Sequence, residues 1–571
     1  MGNMTENKDL EAEIHPLKNE EVRTRDLNEA GGNPKEMKFK KFTKFGQFSH
    51  WRTAAFFLVL FLCLIVVFAF SFIIPCPVRP STQRTWIRTF ENAVTFPFLT
   101  LWDANKDKVT DVMFVFKDSN NTNNGSCVNE EGISFPCAHL TVLSGTNGSL
   151  LWKKAIVEDV QHIQCGVQHL GGPKSSGCLV IGIPHYFTAI NSTGEILWRL
   201  NTSLAAELFV ISPPLVLPDL DGDDVGDLLL LFTPANQDAS VNKLIFLLIS
   251  GKSGDPIGRK VYHNIAKGLV PSSPLIHVTI AGAYYVLFIQ GTVQGVALKD
   301  IYEQASGIPL SASKLNPILK KSDPEWEKKS DPMSGKVEVY NTQPAKFLQH
   351  VQVPGTNAGK LLISTNHTVE LLDGQSFQTY WLHNVSHIQG VPLPGYFNVD
   401  GVFDFLIEDL IAEDKKKVTI VDGKNGKVLW EEELRYRENC PKPSSINTVS
   451  QSIFLFWGEL PTQSSASGRF SEKSYNLYMV HPSHPNVILE LKNNTENVIA
   501  FSTALFEQSR HAASVLLLGQ PMGNKPGPLT IIKQKLKDLI YLSRVRRLKK
   551  GHDNFGDDEI KEYFYRIRYS S

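Results

Sequence analysis

The chain has 571 residues, 42% of them hydrophobic, with 58 basic and 58 acidic side chains. A chain of this length can bury a large core, and a formal net charge of zero excludes a polycation that grips nucleic acid through global charge.

Residues 1–53 read as a disordered cytosolic tail. Its start is acidic, with Glu11, Glu13, Glu20 and Glu21, and its end is basic with Phe39, Phe42, Phe45 and Phe48 interleaved, a pattern that hugs a membrane surface. Ala54 to Ile74 carries no charge and makes a helix of about 31 Å at ~1.5 Å per residue, enough to cross a ~30 Å hydrocarbon core. It lies too deep in the chain for a cleaved signal, and Pro75 and Pro77 follow it in place of small residues, so it reads as a signal anchor. Lys35, Lys38, Lys40, Lys41, Lys44 and Arg52 precede the span, outnumbering Arg79, Arg84 and Arg88 beyond it. The amino terminus should therefore stay in the cytosol and the rest be lumenal or extracellular.

After a stalk at 75–94, residues 95–545 carry two interleaved repeats. The first places oxygen donors at positions one, three, five and nine of a loop that runs into an apolar strand. Asp103, Asn105, Asp107 and Asp111 do so before VMFVF, and Asp219, Asp221, Asp223 and Asp227 before LLLLF. Alternate side chains of such a loop can wrap a hard divalent cation, with the Val225 carbonyl adding a donor, so we expect structural calcium. A third copy keeps Asn398, Asp400 and Asp404 but has Tyr396 at position one and reads as eroded. Asp and Asn also favour plain turns before strands, which is the competing explanation.

The second repeat is a hairpin whose turn closes on glycine and whose second strand ends in tryptophan: LSGTNGSLLW to Trp152, INSTGEILW to Trp198, VDGKNGKVLW to Trp430. Weaker copies lie near Gly254 and Trp381. The spacing fits the blades of a β-propeller, with Trp packing between sheets. Short apolar runs such as 244–249, 284–289, 452–457 and 514–518 read as buried strands. The insertion from Ser311 to Pro344 reads as an exposed loop between blades and residues 546–571 as a basic tail, while Arg544, Arg546 and Arg547 at its boundary resemble a furin-type site.

Asn120, Asn124, Asn147, Asn191, Asn201, Asn366, Asn384 and Asn493 each head an N-x-Ser/Thr triplet after the span, against Asn3 before it. An oxidising compartment favours disulfides, and proximity pairs Cys127 with Cys137 and Cys165 with Cys178, leaving Cys440 without an assigned partner beside Cys63 and Cys76.

KDLEAEIHPLKNEE (Lys8 to Glu21), FLCLIVVFAFSFIIPCPVRP (Phe61 to Pro80), DLDGDDVGD and LFEQSRHAA (Leu505 to Ala513) together resemble the integrin-alpha FG-GAP-repeat-containing family, also called family with sequence similarity 234. The resemblance runs nearly end to end. It implies a single-pass type II membrane glycoprotein with a propeller ectodomain similar to the integrin alpha-chain head, calcium loops of the kind seen at Asp103 and Asp219, and no catalytic activity.

The expected fold is therefore all-β: an FG-GAP or quinoprotein-like propeller of seven or eight blades on one N-terminal transmembrane helix. HExxH, GxxxxGK[ST], GxSxG and Cys-x-x-Cys are all absent from the sequence, and His383 with His387 lacks a following Glu, so we expect no enzyme. The expected function is protein binding or scaffolding at the cell surface or in the secretory pathway, with an unknown protein partner and no nucleic acid. A trafficking or quality-control factor and a quinoprotein-like oxidoreductase are the alternatives.

Overall fold

A computed structural model describes residues 47–73 and, with short gaps, 85–570. The chain divides into two compact units, residues 1–78 and 79–571. In the first, Gln47–Ile73 is one 27-residue helix. Its described side chains run from Thr53 to Phe68 without a charge and are exposed all round. Among the described residues no helix is long and apolar enough to cross a membrane.

The second unit is built from four-stranded antiparallel meanders. Six of them are separate sheets: Asp159–Arg199, Leu208–Ile265, Ser272–Tyr340, Ala345–Asn384, Leu393–Arg435 and Ser444–Asn494, the second gaining the short strand Leu215–Val216 and the last Arg544–Arg547 as a fifth strand. The remaining sheet has seven strands because it is two blades joined through one long strand, Trp86–Trp102. Trp86–Phe90 pairs with the strand Gly527–Lys535, while Leu99–Trp102 pairs with Asp111–Asp118. A register shift between Thr95 and Leu99 contains Pro97, which has no N–H to give a ladder. One strand thus finishes blade 8 and begins blade 1, and the ring has eight blades. Eight clusters of buried apolar side chains confirm the closure, each filling one seam between consecutive blades. The last seam, between blades 8 and 1, holds Trp86, Phe114, Leu517 and Ile531.

The hairpin repeat makes these seams. Each tryptophan stands in the outer strand of one blade and lies under the turn of the next. A Cβ placed at Gly254 would sit 2.5 Å from the Trp198 ring, and Gly148, Gly194 and Gly426 meet Trp86, Trp152 and Trp381 in the same way. These glycines also have φ between 70° and 83°, so both the turn and the close approach demand glycine. In blade 5 the corresponding turn residue is Phe377, at φ 67°. It packs edge-on to Trp326, centroids 4.8 Å apart, because blade 4 ends in KVEVY and has no tryptophan of its own there.

Three expectations change. The stalk ends earlier than 94, since Trp86–Ala93 is a strand of blade 8. The insertion 311–344 is not an exposed loop between blades: it lies inside blade 4, carries a fully buried Trp326 on the helix Pro324–Lys328, and supplies that blade's last strand, Lys336–Tyr340. Residues 546–571 are not a solvated tail. Arg546 pairs with Glu490 at 2.9 Å and Arg547 with Asp557 at 2.6 Å, and the helix Asp557–Arg566 buries Ile560 and Phe564, with Tyr569 buried beyond it. Hydrogen-bonded into a sheet, RVRR is not the open segment a processing protease needs.

Candidate metal centre

The acidic loops join the first and second strands of blades 1, 3 and 6. Loops 103–111 and 219–227 share one backbone path, with left-handed residues at positions four and six: Lys106 and Lys108 in one, Gly222 and Asp224 in the other. In the third loop Gly401 alone, at position six, is left-handed. Tyr396 stacks there on Phe403 with centroids 4.5 Å apart, in place of a first carboxylate.

In the loop of blade 3, oxygens of Asp219, Asp221 and Asp227 lie within 4.8 Å of one another. No other group of three acidic, histidine or cysteine side chains converges this way among the described residues. Asp223 stands outside the group. Its two oxygens accept from the Val225 N–H at 2.9 Å and from the Ser250 hydroxyl at 3.2 Å. Val225 itself buries its side chain beneath the loop. In the loop of blade 1, Asp103 accepts from the N–H groups of Asp107 and Lys108, Asn105 from that of Asp107, and Asp107 from Val109 N–H and the Thr146 hydroxyl. The blade 3 loop uses the same turn bonds, with Asp219 accepting from the N–H groups of Gly222, Asp223 and Asp224 and Asp221 from that of Asp223, so what sets it apart is the convergence of its three carboxylates.

The charges of the blade 3 loop are poorly compensated. Burial pushes the Asp227 carboxyl up to about 7 against its backbone hydrogen bond from Leu220, and Asp221 and Asp223 add to the rise. Asp221 is raised by burial and by Asp223. Burial likewise raises Asp111, and lifts Asp404 to about 6. An all-oxygen, carboxylate-rich donor set with unneutralised charge suits a hard divalent cation. Asp219, Asp221 and Asp227 are the residues that would hold it. Beside the blade 1 loop the buried Lys533 ammonium donates to the carbonyls of Thr110 and Gly145, so that loop has a cation of its own nearby; burial pulls Lys533 down to about 8 while Asp111 and Asp107 oppose the fall.

The ninth-position aspartates do a second job. Asp227, fully buried, accepts from Leu220 N–H at 2.7 Å and Gly251 N–H at 3.3 Å, and the Gly251 carbonyl accepts from Trp198 Nε1 of blade 2 at 3.0 Å. Asp111, Gly145 and Trp86 repeat the relay, as do Asp404, Gly423 and Trp381. Each loop is thereby stitched to the seam behind it. The two sequence repeats are halves of one device, and Ser250, Gly251 and their counterparts went unnoticed as site residues because nothing in linear spacing links them to the loops.

Of the other expected sites, Cys165 and Cys178 form a disulfide with Cα atoms 4.0 Å apart. Cys137 lies outside the described residues, as do Cys76, Asn120, Asn124 and Asn201; the strand Ser126–Val128 carries Cys127 and the strand Val487–Asn494 carries Asn493. Asn147, Asn366 and Asn384 are exposed, while Asn191 is half-buried and its amide donates to Glu195 at 3.2 Å. Cys440 stands 3.9 Å from the buried Lys416 ammonium, which pairs with Glu408 at 2.6 Å; burial pushes its thiol up to about 11, an inert state.

The FAM234A/B beta-propeller family model matches residues 86–570. Protein FAM234A of Homo sapiens is 37% identical over 576 residues, covering 100% of both chains. Protein FAM234B of Homo sapiens is 33% identical over 536 residues, covering 91% of this chain and 83% of that one. Among solved structures, the Dos1 propeller aligns with a TM-score of 0.40 at 9% identity, covering 80% of this chain and 96% of that one. The WD40 domain of SCAP from fission yeast gives 0.39 at 10%, with coverage of 78% and 98%.

Proposed function

The chain belongs to the FAM234A/B β-propeller family, and from that premise we propose that it is a non-catalytic single-pass type II membrane glycoprotein whose calcium-stabilised propeller is a protein-binding scaffold at the cell surface or in the secretory pathway. The observation that carries the reading is the stitched seam: loop carboxylates, hairpin glycines and tryptophans are used to hold blades together, which gives a rigid ring with broad faces. The charge-free 54–74 segment and the helix Gln47–Ile73 support the anchor. Surface biotinylation separates a surface scaffold from a retained trafficking factor, and a bound quinone absorbance would instead favour an oxidoreductase.

Topology has a direct test. Glycosidase treatment of protein from intact cells should lower the apparent mass, and Asn147→Gln, at an exposed turn, should remove part of that shift. An unchanged mass would argue for the opposite orientation.

Calcium should raise the melting temperature. Extracellular sites have dissociation constants of ~10⁻⁴ to 10⁻³ M, and tenfold excess over such a constant stabilises by about 1.4 kcal/mol per site. Chelation should reverse the gain, and Asp219→Asn with Asp221→Asn should abolish most of it without touching the relay through Asp227. An equal calcium response in that double variant places the ion elsewhere.

A further inference from the structure

We propose that the face carrying Tyr541, Leu542 and Tyr565 beside a basic cluster seats on a lipid bilayer, with its cations on headgroup phosphates. This rests on the single-span reading above.

The helix Leu536–Leu542 buries Leu536, Leu539 and Ile540. Asp538, Tyr541 and Leu542 therefore share its outer side at spacings of three and four, and Tyr541 and Leu542 are 75% and 71% exposed. The helix Asp557–Arg566 turns Ile560 and Phe564 inward and leaves Tyr565 47% exposed. Lys537 Nζ lies 4.8 Å over the Tyr565 ring, which joins the two helices into one surface.

Cations crowd around Lys537 on this surface. Lys537 is lowered by burial, then by Arg568 and Lys535, and His511 is lowered by burial and by the same three cations, with no carboxylate among the contributors to either. Asp538, the carboxylate on the same outer side, accepts from the Thr85 hydroxyl at 3.2 Å. Exposed Tyr and Leu beside crowded cations match an interface where rings sit at headgroup level, an aliphatic side chain enters the acyl boundary and ammonium groups meet phosphate.

The same Thr85 contact selects the bilayer over a soluble acidic protein. It shows that the chain enters the propeller at this helix. Residues 74–84 are the only covalent link between the span and Thr85 and reach at most about 40 Å when extended. A link of that length lets a face beside its entry point reach a bilayer.

The full-length chain in phosphatidylcholine nanodiscs containing phosphatidylglycerol, compared with the same chain in neutral detergent micelles, provides the test by hydrogen exchange. Amides of Leu536–Leu542 should exchange about threefold or more slowly in discs, and the triple variant Lys537→Glu, Tyr541→Ser, Leu542→Ser should lose the difference while melting like the parent in micelles. If that variant fails to fold, Leu542→Ser alone should still reduce the protection. Equal exchange in discs and micelles overturns the proposal. So does protection of this helix by soluble heparin in micelles with none from discs, which reassigns the face to a free polyanion. A chain that stays in solution without entering discs overturns the span itself, whereas a chain that enters them with an unprotected helix overturns the docking face alone.

Discussion

A propeller fragment beginning at Thr95 should fail to fold, whereas one beginning at Arg79 should melt cooperatively. The shorter fragment lacks the outer strand of blade 8, and with it the ladder from Trp86 to Ala93 onto Gly527–Lys535. It also lacks the buried Trp86 and Ala93, the Trp86 bond to the Gly145 carbonyl at 3.1 Å and the Arg88 bond to the Gly148 carbonyl at 2.7 Å. Removing a buried Trp or Phe side chain costs about 3–5 kcal/mol, and Phe90 leaves the same seam together with Trp86. That loss alone is of the order of a whole domain's stability, about 5–15 kcal/mol. The exposed edge of Gly527–Lys535 would in addition invite pairing between chains. Size-exclusion elution and thermal melting of the two fragments decide the matter. A Thr95 fragment that is monodisperse and melts within a few degrees of the longer one would refute the shared-strand closure.

Acidification from pH 6.5 to pH 4 should destabilise the propeller steeply. Burial holds His139, His263, His277 and His481 neutral, each lowered to about 4, with Lys153, Lys336, His350 and His484 respectively adding to the effect. A histidine whose folded value lies below its unfolded one binds fewer protons when native. Its contribution is complete above about 6.5 and is lost as the pH falls towards 4. Each such shift is worth about 3 kcal/mol, as one unit is 1.36 kcal/mol. In the calcium-free protein the raised carboxyls act oppositely: Asp227 at about 7 and Asp404 at about 6 favour the native state in acid, and that contribution is lost as the pH rises through those values. Four histidines outweigh two carboxyls by roughly twofold in summed shift, so acid should win as a destabiliser. The melting temperature should drop across this window, and His139→Phe with His263→Phe, both placed beside phenylalanine rings, should flatten the slope even if the value at pH 7 changes. A melting temperature that is level or rising towards pH 4.5 would sink the argument.

Much of the ring was legible because its construction is local. The glycine turns, the tryptophans and the apolar runs at 244–249, 284–289, 452–457 and 514–518 mark strands and hairpins by themselves, and the last four runs are buried strands. The blade count of seven or eight stayed open for two physical reasons. Blades 4 and 5 meet through Trp326 from an insertion and Phe377 in a glycine's place, which hides their repeat. Blade 8 is assembled from both ends of the chain, and no periodicity shows that Trp86–Ala93 belongs beside Gly527–Lys535. The candidate site was legible as spacing but not as orientation. Four carboxylates at alternate positions look equivalent in sequence, yet Ser250 from the neighbouring hairpin and the Val225 N–H draw Asp223 away from the other three.

The strand that closes the ring joins partners made at opposite ends of synthesis. Thr89 and Thr530 face each other across it at a separation of 441 residues. At ~5–20 residues per second, a ribosome takes roughly 20 to 90 s to cover that distance. Throughout that interval Trp86 and Phe90 have no blade to enter, and every seam already formed belongs to an open arc. The nascent chain therefore presents an aromatic strand for as long as translation continues, and it is the last blade, not the first, that finally covers it.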